Sequence, residues 1–208
     1  MALDRISQWN DKSGKGNNIS QGTALSQAIY TPNKLNSLAS VTFDGIALYA
    51  VPAALITALV NSNNTVFMVG NSTAPGTPQQ RFIGITDGSL ARFNLELTSS
   101  VGTAGYACAT GAAGQVTIGS ITTTNFNIYS AFRSGTTQSI QINNGTAQTN
   151  SSGADITWTT GNIGQSATGT VPVIGNINII LIYNRALSTT EIIQVNRWLS
   201  NITAITIS

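Results

Sequence analysis

The stretch Ile174 to Leu199, IGNINIILIYNRALSTTEIIQVNRWL, constrains the fold of this chain more than any other. Ile174 to Tyr183 is an apolar run of strand length and reads as a buried strand. A tight turn follows, and then a short helix whose start is encoded locally. Ser188 and Glu191 form an S-x-x-E capping box, in which each side chain satisfies a backbone N–H that the first helical turn leaves without a partner. On that helix Ile192, Val195 and Leu199 share one face with Ile193 beside them, a stripe that would pack on a sheet. Beyond it, Ile202 to Ile207 alternates with threonine and is expected to add a terminal edge strand.

The rest of the chain extends the β reading. Of 208 residues, 28 are Thr, 21 Ser and 21 Asn, so neutral groups supply the polarity. Thr suits strands, while Asn and Ser suit turns. Charged residues make up 8%, against about 25% in an average soluble protein. The net charge of +2 is spread thinly, without the Lys/Arg run that phosphate contacts need, so nucleic acid is not an expected partner. No apolar stretch approaches the ~20 residues of a membrane span. The opening, MALDRISQWNDK, lacks an apolar signal core, and Cys108 is alone. Synthesis in a cytosol is the expectation. A phage protein released by lysis fits it, and so does a domain of a longer exported protein.

The chain has no linker, charge block or sustained repeat, and one domain over residues 1–208 is expected. Gln8 to Gly16 is a polar, turn-rich entry anchored by Trp9. Strands are expected at Ser40 to Asp44 and Thr65 to Gly70, and Ile46 to Ala50 is a second short apolar run. Pro52 and Asn61 frame a short helix over Pro52 to Val60, with a buried strand as the competing reading. Arg81 to Thr86 and Ala91 to Thr98 pair through Asp87-Gly88; in the second, Phe93, Leu95 and Leu97 give an apolar face, Asn94, Glu96 and Thr98 a polar one. Val116 to Ile121 and Phe126 to Phe132 follow as strands, and Ser139 to Thr149 is a hairpin turning at Asn144-Gly145. Gly102 to Gly114 reads as a Gly-rich loop.

Several motifs occur in a telling order: Trp9-x-Asp11-x-Ser13-Gly14, then Phe43-Asp44-Gly45, Thr65-Val66-Phe67 with Val69, Ile142 to Gly145, and finally Ile182-Tyr183-Asn184-Arg185-Ala186-Leu187-Ser188 with Glu191-Ile192. In this order the chain resembles concanavalin A-like (laminin G-like) jelly-roll domains. The resemblance implies an all-β, antiparallel jelly-roll β-sandwich with a short C-terminal helix. Domains of this kind are common in phage tail-fibre and head-decoration proteins and in bacterial surface proteins. It therefore implies adhesion, either to a host-surface glycan or to other virion proteins. The expected place is a virion surface, with a homotrimer by analogy with phage fibres. A bacterial surface carbohydrate-binding module is the alternative.

Catalysis finds little support in the inventory. The chain has no His, which removes Ser-His-Asp, Cys-His and His-zinc arrangements. Glycoside hydrolysis uses a carboxylate pair, yet only Glu96 and Glu191 are present as glutamates, and Glu191 is committed to the cap. Cofactors are not expected. Calcium, which such lectin-like domains often bind, would have to draw on dispersed acids, with Asp87 and Asp155 the candidates; Asp11 and Asp44 read as turn-fixing residues. Sugar rings stack on aromatic faces, and Trp158 and Tyr106 are the candidate carbohydrate-binding residues, since Trp9 and Trp198 read as packing residues. Arg185 reads as a brace for the strand-to-helix turn.

Overall fold

A computed structural model describes residues 4–60, 63–74, 79–88, 91–99, 102–110, 114–155 and 159–208. Two antiparallel sheets face each other. The seven-stranded sheet runs β13(Gln148–Asn150), β12(Thr137–Ile142), β11(Asn127–Ser134), β6(Asn63–Ser72), β15(Ile174–Tyr183), β4(Leu38–Asp44), β3(Ile29–Leu35). The six-stranded sheet runs β10(Val116–Ile118), β9(Thr103–Thr110), β8(Ala91–Ser99), β7(Gln80–Thr86), β14(Thr160–Ile163), β5(Tyr49–Ala50). A small hairpin of β1(Gln8–Trp9) and β2(Ile19–Ser20) stands apart. The expected sandwich is therefore present, and α1(Ala53–Val60) takes the helical option at Pro52 to Val60.

β6 shows why its sequence is apolar throughout. Val66 and Met68 point into the core between the sheets, beside Phe43, Tyr129 and Ile177. Phe67 and Val69 point the other way, into a second core closed by Leu187, Ile192 and Leu199. Those last residues belong to, or lead into, α2(Thr189–Thr203), which lies across the outer face of the seven-stranded sheet. A strand covered on both faces loses alternation and keeps a continuous apolar run.

The start of α2 is built as its sequence requires. Ser188 Oγ accepts from the Glu191 amide at 3.3 Å, and the Glu191 carboxylate accepts from the Ser188 amide at 2.8 Å. Arg185 reaches the same carboxylate with both terminal nitrogens, at 3.0 and 2.7 Å, bracing the turn as expected. The Arg185 hydrogen bonds, with help from Ser188, hold the Glu191 carboxyl down at about 2. A depressed carboxyl contributes stability that is complete above its unfolded value and is lost as pH falls through the folded one. Glu191→Gln should therefore lower Tm near neutrality, and the gap to wild type should close as pH is taken from about 5 to about 2. A gap independent of pH would refute this account.

Several features differ from, or add to, what the sequence suggests. Gly102 to Gly114 is not a loop through most of its length: β9 crosses the sheet between β8 and β10. Its Ala104, Tyr106 and Cys108 face the core, while Gly105 and Ala107 are too small to mark a face in sequence. β8 alternates as expected, and its polar face is itself buried at Asn94 and Glu96, with Glu96 accepting from Arg81 at 2.7 Å and from Gln79 and Gln115. The hairpin after β12 turns on Asn143 and Asn144, with φ of 50° and 59°, and not on Asn144-Gly145. The Gly145 amide closes that turn on Ile142 O at 2.9 Å, and asparagine tolerates the left-handed region well enough to hold both central places. Finally, no strand is assigned over Ile202 to Ile207. α2 continues to Thr203, stops on Ala204 in the left-handed region, and the remaining residues run to the Asn143 turn, where the Ser208 amide meets Asn143 O at 3.0 Å. Trp198, read as a packing residue, is half-exposed.

Candidate functional site

The aromatic and acidic residues singled out in the sequence do not come together. Tyr106 is fully buried; its hydroxyl donates to Asn64 Oδ1 at 2.8 Å and its ring packs edge-on to Phe93. Neither ring face is open to a sugar, so its assignment as a binding residue is corrected to a core role. Trp158 lies outside the described residues. Asp155 is exposed and pairs with Arg133 at 2.8 Å, and Asp87 is half-buried in the turn ahead of Gly88. Among the described residues no three Cys, Asp or Glu side chains gather where they could hold a metal ion. Asp44 fixes its turn as expected, accepting from the Ile46 and Ala47 amides.

One cleft among the described residues is amide-lined. It encloses about 550 Å³ between the 122–127 segment and the end of α2, with Asn71, Asn125, Phe126, Asn127, Asn143 and Thr206 in its lining. Its amides are locked by their neighbours. Asn71 Nδ2 donates to Thr124 O at 2.8 Å and its Oδ1 accepts from Asn176 at 2.8 Å. Asn127 Nδ2 donates to Asn125 O at 2.9 Å, and its Oδ1 accepts from Asn143 at 2.9 Å. These bonds order the loop and leave the exposed Asn125 amide and the Thr124 and Thr206 hydroxyls facing solvent. Phe126 sits half-buried between them. Among the described residues no charged side chain lines this cleft. The chemistry on offer is a set of neutral donors and acceptors beside one ring.

The second cleft is apolar and encloses about 540 Å³ between the β1–β2 hairpin and β15. Trp9, Leu55, Ile163 and Ile179 to Tyr183 line it, with Asn10, Lys12, Ser13 and Asn17 around the mouth. The entry motif builds that mouth. Asp11 accepts from the Ser13 amide at 2.8 Å, the Ser13 hydroxyl at 2.9 Å and the Asn17 amide at 2.9 Å. The Ser13 and Asn17 amides hold its carboxyl below the ordinary range, so the loop is tied around an ionised group.

Neither cleft was visible in the sequence. Each joins segments far apart along the chain, and asparagines on strand ends carry no periodic signal. The W-x-D-x-S-G motif was the one local mark of either.

No protein-family profile matches the chain, and no curated protein does. Solved structures do. The CBM40 module of the Ruminococcus gnavus IT-sialidase, bound to α2,3-sialyllactose, aligns at a TM-score of 0.57 and 17% identity over 76% of this chain and 92% of that one. Domain 4 of AbnA, a GH43 extracellular arabinanase from Geobacillus stearothermophilus in complex with arabinotriose, aligns at 0.64 and 14% identity over 94% of this chain and all of that one. The chain has the fold of these β-sandwich modules. Trypanosoma rangeli sialidase aligns at 0.66 and 15% identity; there the match covers 98% of this chain but 33% of the enzyme.

Proposed function

We propose that this chain is a carbohydrate-binding module that holds a neutral glycan in the amide-lined cleft without turning it over. The observation that carries the reading is the lining of that cleft: locked asparagine amides, free hydroxyls and one aromatic ring, on a fold shared with modules whose structures hold sialyllactose and arabinotriose. Sugar hydroxyls need donors and acceptors at fixed spacing, and a site whose amides are already ordered loses little entropy on binding. Binding without turnover is supported by the placing of the acids. Asp11 is the only acid among the described residues that line either cleft, whereas hydrolysis of a glycosidic bond usually needs two carboxylates facing each other across the substrate.

The same role could serve an adhesin on a virion or a module on a bacterial surface. The neighbours favour the second setting, since all three belong to carbohydrate-active enzymes and none is a virion component.

A glycan array on the purified domain, followed by calorimetric titration of the best hit, tests the reading. Asn125→Ala removes an exposed amide that the fold does not use, so affinity should fall about tenfold, or 1.4 kcal/mol, with Tm unchanged. Phe126→Leu should weaken binding in the same direction. If Trp9→Ala abolishes binding while both cleft variants bind normally, the glycan site is the apolar cleft. If no glycan binds, the reading falls.

A further inference from the structure

β15 is ten residues long, but its two neighbours do not cover it equally. β6 pairs with it from Gly175 to Tyr183. β4 pairs with it only from Ile174 to Ile177. A bulge follows between Ile177 and Ile179, and there β4 leaves the ladder. From Ile179 to Tyr183 no strand among the described residues is laddered to the second edge. In an antiparallel sheet every second residue turns its N–H and C=O toward a given edge. This segment therefore turns a row of backbone donors and acceptors toward an edge that no described strand fills.

The apolar cleft is the space beside that edge. Ile180 and Ile182 pack toward the core between the sheets, and Ile179, Leu181 and Tyr183 toward the core under α2. All five line the cleft, so it opens on the edge and not on either face. At the point where β4 leaves, Asn178 donates to Ala39 O and Ser40 Oγ, while its Oδ1 is buried with no partner. That oxygen is an acceptor waiting for a donor at the first rung of the open edge.

We propose that the edge of β15 between Ile179 and Tyr183 is a strand-addition site, and that it takes an extended segment of another polypeptide as an eighth strand. Backbone N–H and C=O groups spaced along an extended chain match the open rungs, and alternate apolar side chains fill the walls made by Trp9, Leu55 and Ile163. Trp9 and Ile19 of the β1–β2 hairpin line the same cleft, so the space beside the edge suits a single extended segment and not a second folded sheet. Lys12 at the mouth has no ion-pair partner among the described residues, while Asp11 is consumed by its own loop, so an acidic residue at one end of the incoming strand is favoured. This proposal is independent of the glycan reading, which concerns the other cleft.

The test uses the whole chain and a fluorescein-labelled eight-residue peptide of alternating valine and threonine with a glutamate at one end. Anisotropy should report saturable binding. Amide hydrogen exchange over Ile179 to Tyr183 should slow about tenfold at saturation, with little change in β3. A peptide N-methylated at alternate residues keeps its side chains but loses the donors along each edge in turn; one of the two patterns should bind at least about tenfold more weakly. Equal binding of both N-methylated peptides and the parent would show that side chains alone are held, and would overturn the proposal. So would absence of binding up to about 1 mM peptide. Protection of the same amides by the best array glycan, with none by the peptide, would assign the edge to sugar instead and also overturn it.

Discussion

Gly175→Ala is expected to cost about 3 kcal/mol and to lower Tm by about 6–12 °C in a chain of this size. A Cβ built on Gly175 would lie 2.1 Å from the carbonyl oxygen of Asn71 and 3.0 Å from the Cα of Ser72. Both are backbone atoms of β6, so neither can swing aside as a side-chain end would. Gly175 also faces Phe43 on β4, which closes the other direction of escape. The sheet must widen there or β15 must shift, and a shift would break the Asn176 to Asn71 bond and the Thr42 to Asn176 bond beside it. Gly22 is the control: nothing lies within 4 Å of its added Cβ, and Gly22→Ala should change stability by less than about 0.5 kcal/mol. Urea denaturation of the two variants decides the matter, and equal midpoints would show that the sheet yields at no cost.

Arg133→Ala should destabilise the fold by about 4 kcal/mol, combining a large cavity with the loss of a buried polar hub. Arg133 lies at the end of the inter-sheet core, 2% exposed. Its Nε donates to Gly135 O at 2.7 Å, one terminal nitrogen to the Cys108 sulfur at 3.4 Å and the other to Asp155 at 2.8 Å. Burial raises the Cys108 thiol, with Arg133 opposing, so the sulfur meets the guanidinium as a neutral acceptor. Arg133→Lys should recover less than half of the loss, because one ammonium cannot span three directions. Asp155→Asn should cost only about 1 kcal/mol, since that carboxylate is 66% exposed and water can take its place. An Asp155→Asn loss as large as that of Arg133→Ala would mean that the ion pair, and not the volume and hydrogen bonding of the guanidinium, carries the effect.

The parts of the fold that could be read in advance are those whose signals are local. The capping box at Ser188 and Glu191 fixes its helix through contacts three residues apart, and the apolar runs of β6 and β15 record burial directly. What escaped was set at long range. β9 sets Gly105 and Ala107 against Ala104, Tyr106 and Cys108, and with only small residues on its second face it loses the apolar–polar alternation that identifies a strand. Threonine alternation after residue 202 looked like a strand, but Thr203 Oγ1 instead bonds back to Leu199 O and ends a helix. Tyr106 illustrates the limit for sites: glycine-rich flanks suggested an exposed ring, and the partner that buries its hydroxyl, Asn64, lies on a different sheet.

The position of β15 also governs the order in which the molecule can be made. It is the last strand in sequence among the described residues, yet it sits inside the seven-stranded sheet, between β6 and β4. Those two strands are synthesised more than a hundred residues earlier and have no ladder with each other. Until Tyr183 has left the ribosome, each displays a bare edge, and Phe67 and Val69 on β6 wait still longer for α2 to cover them. A growing chain of this kind cannot lock in its sheet piece by piece. It must be kept from pairing with its neighbours on the same message until the late strand arrives, and closure is then a single, slow, non-local step.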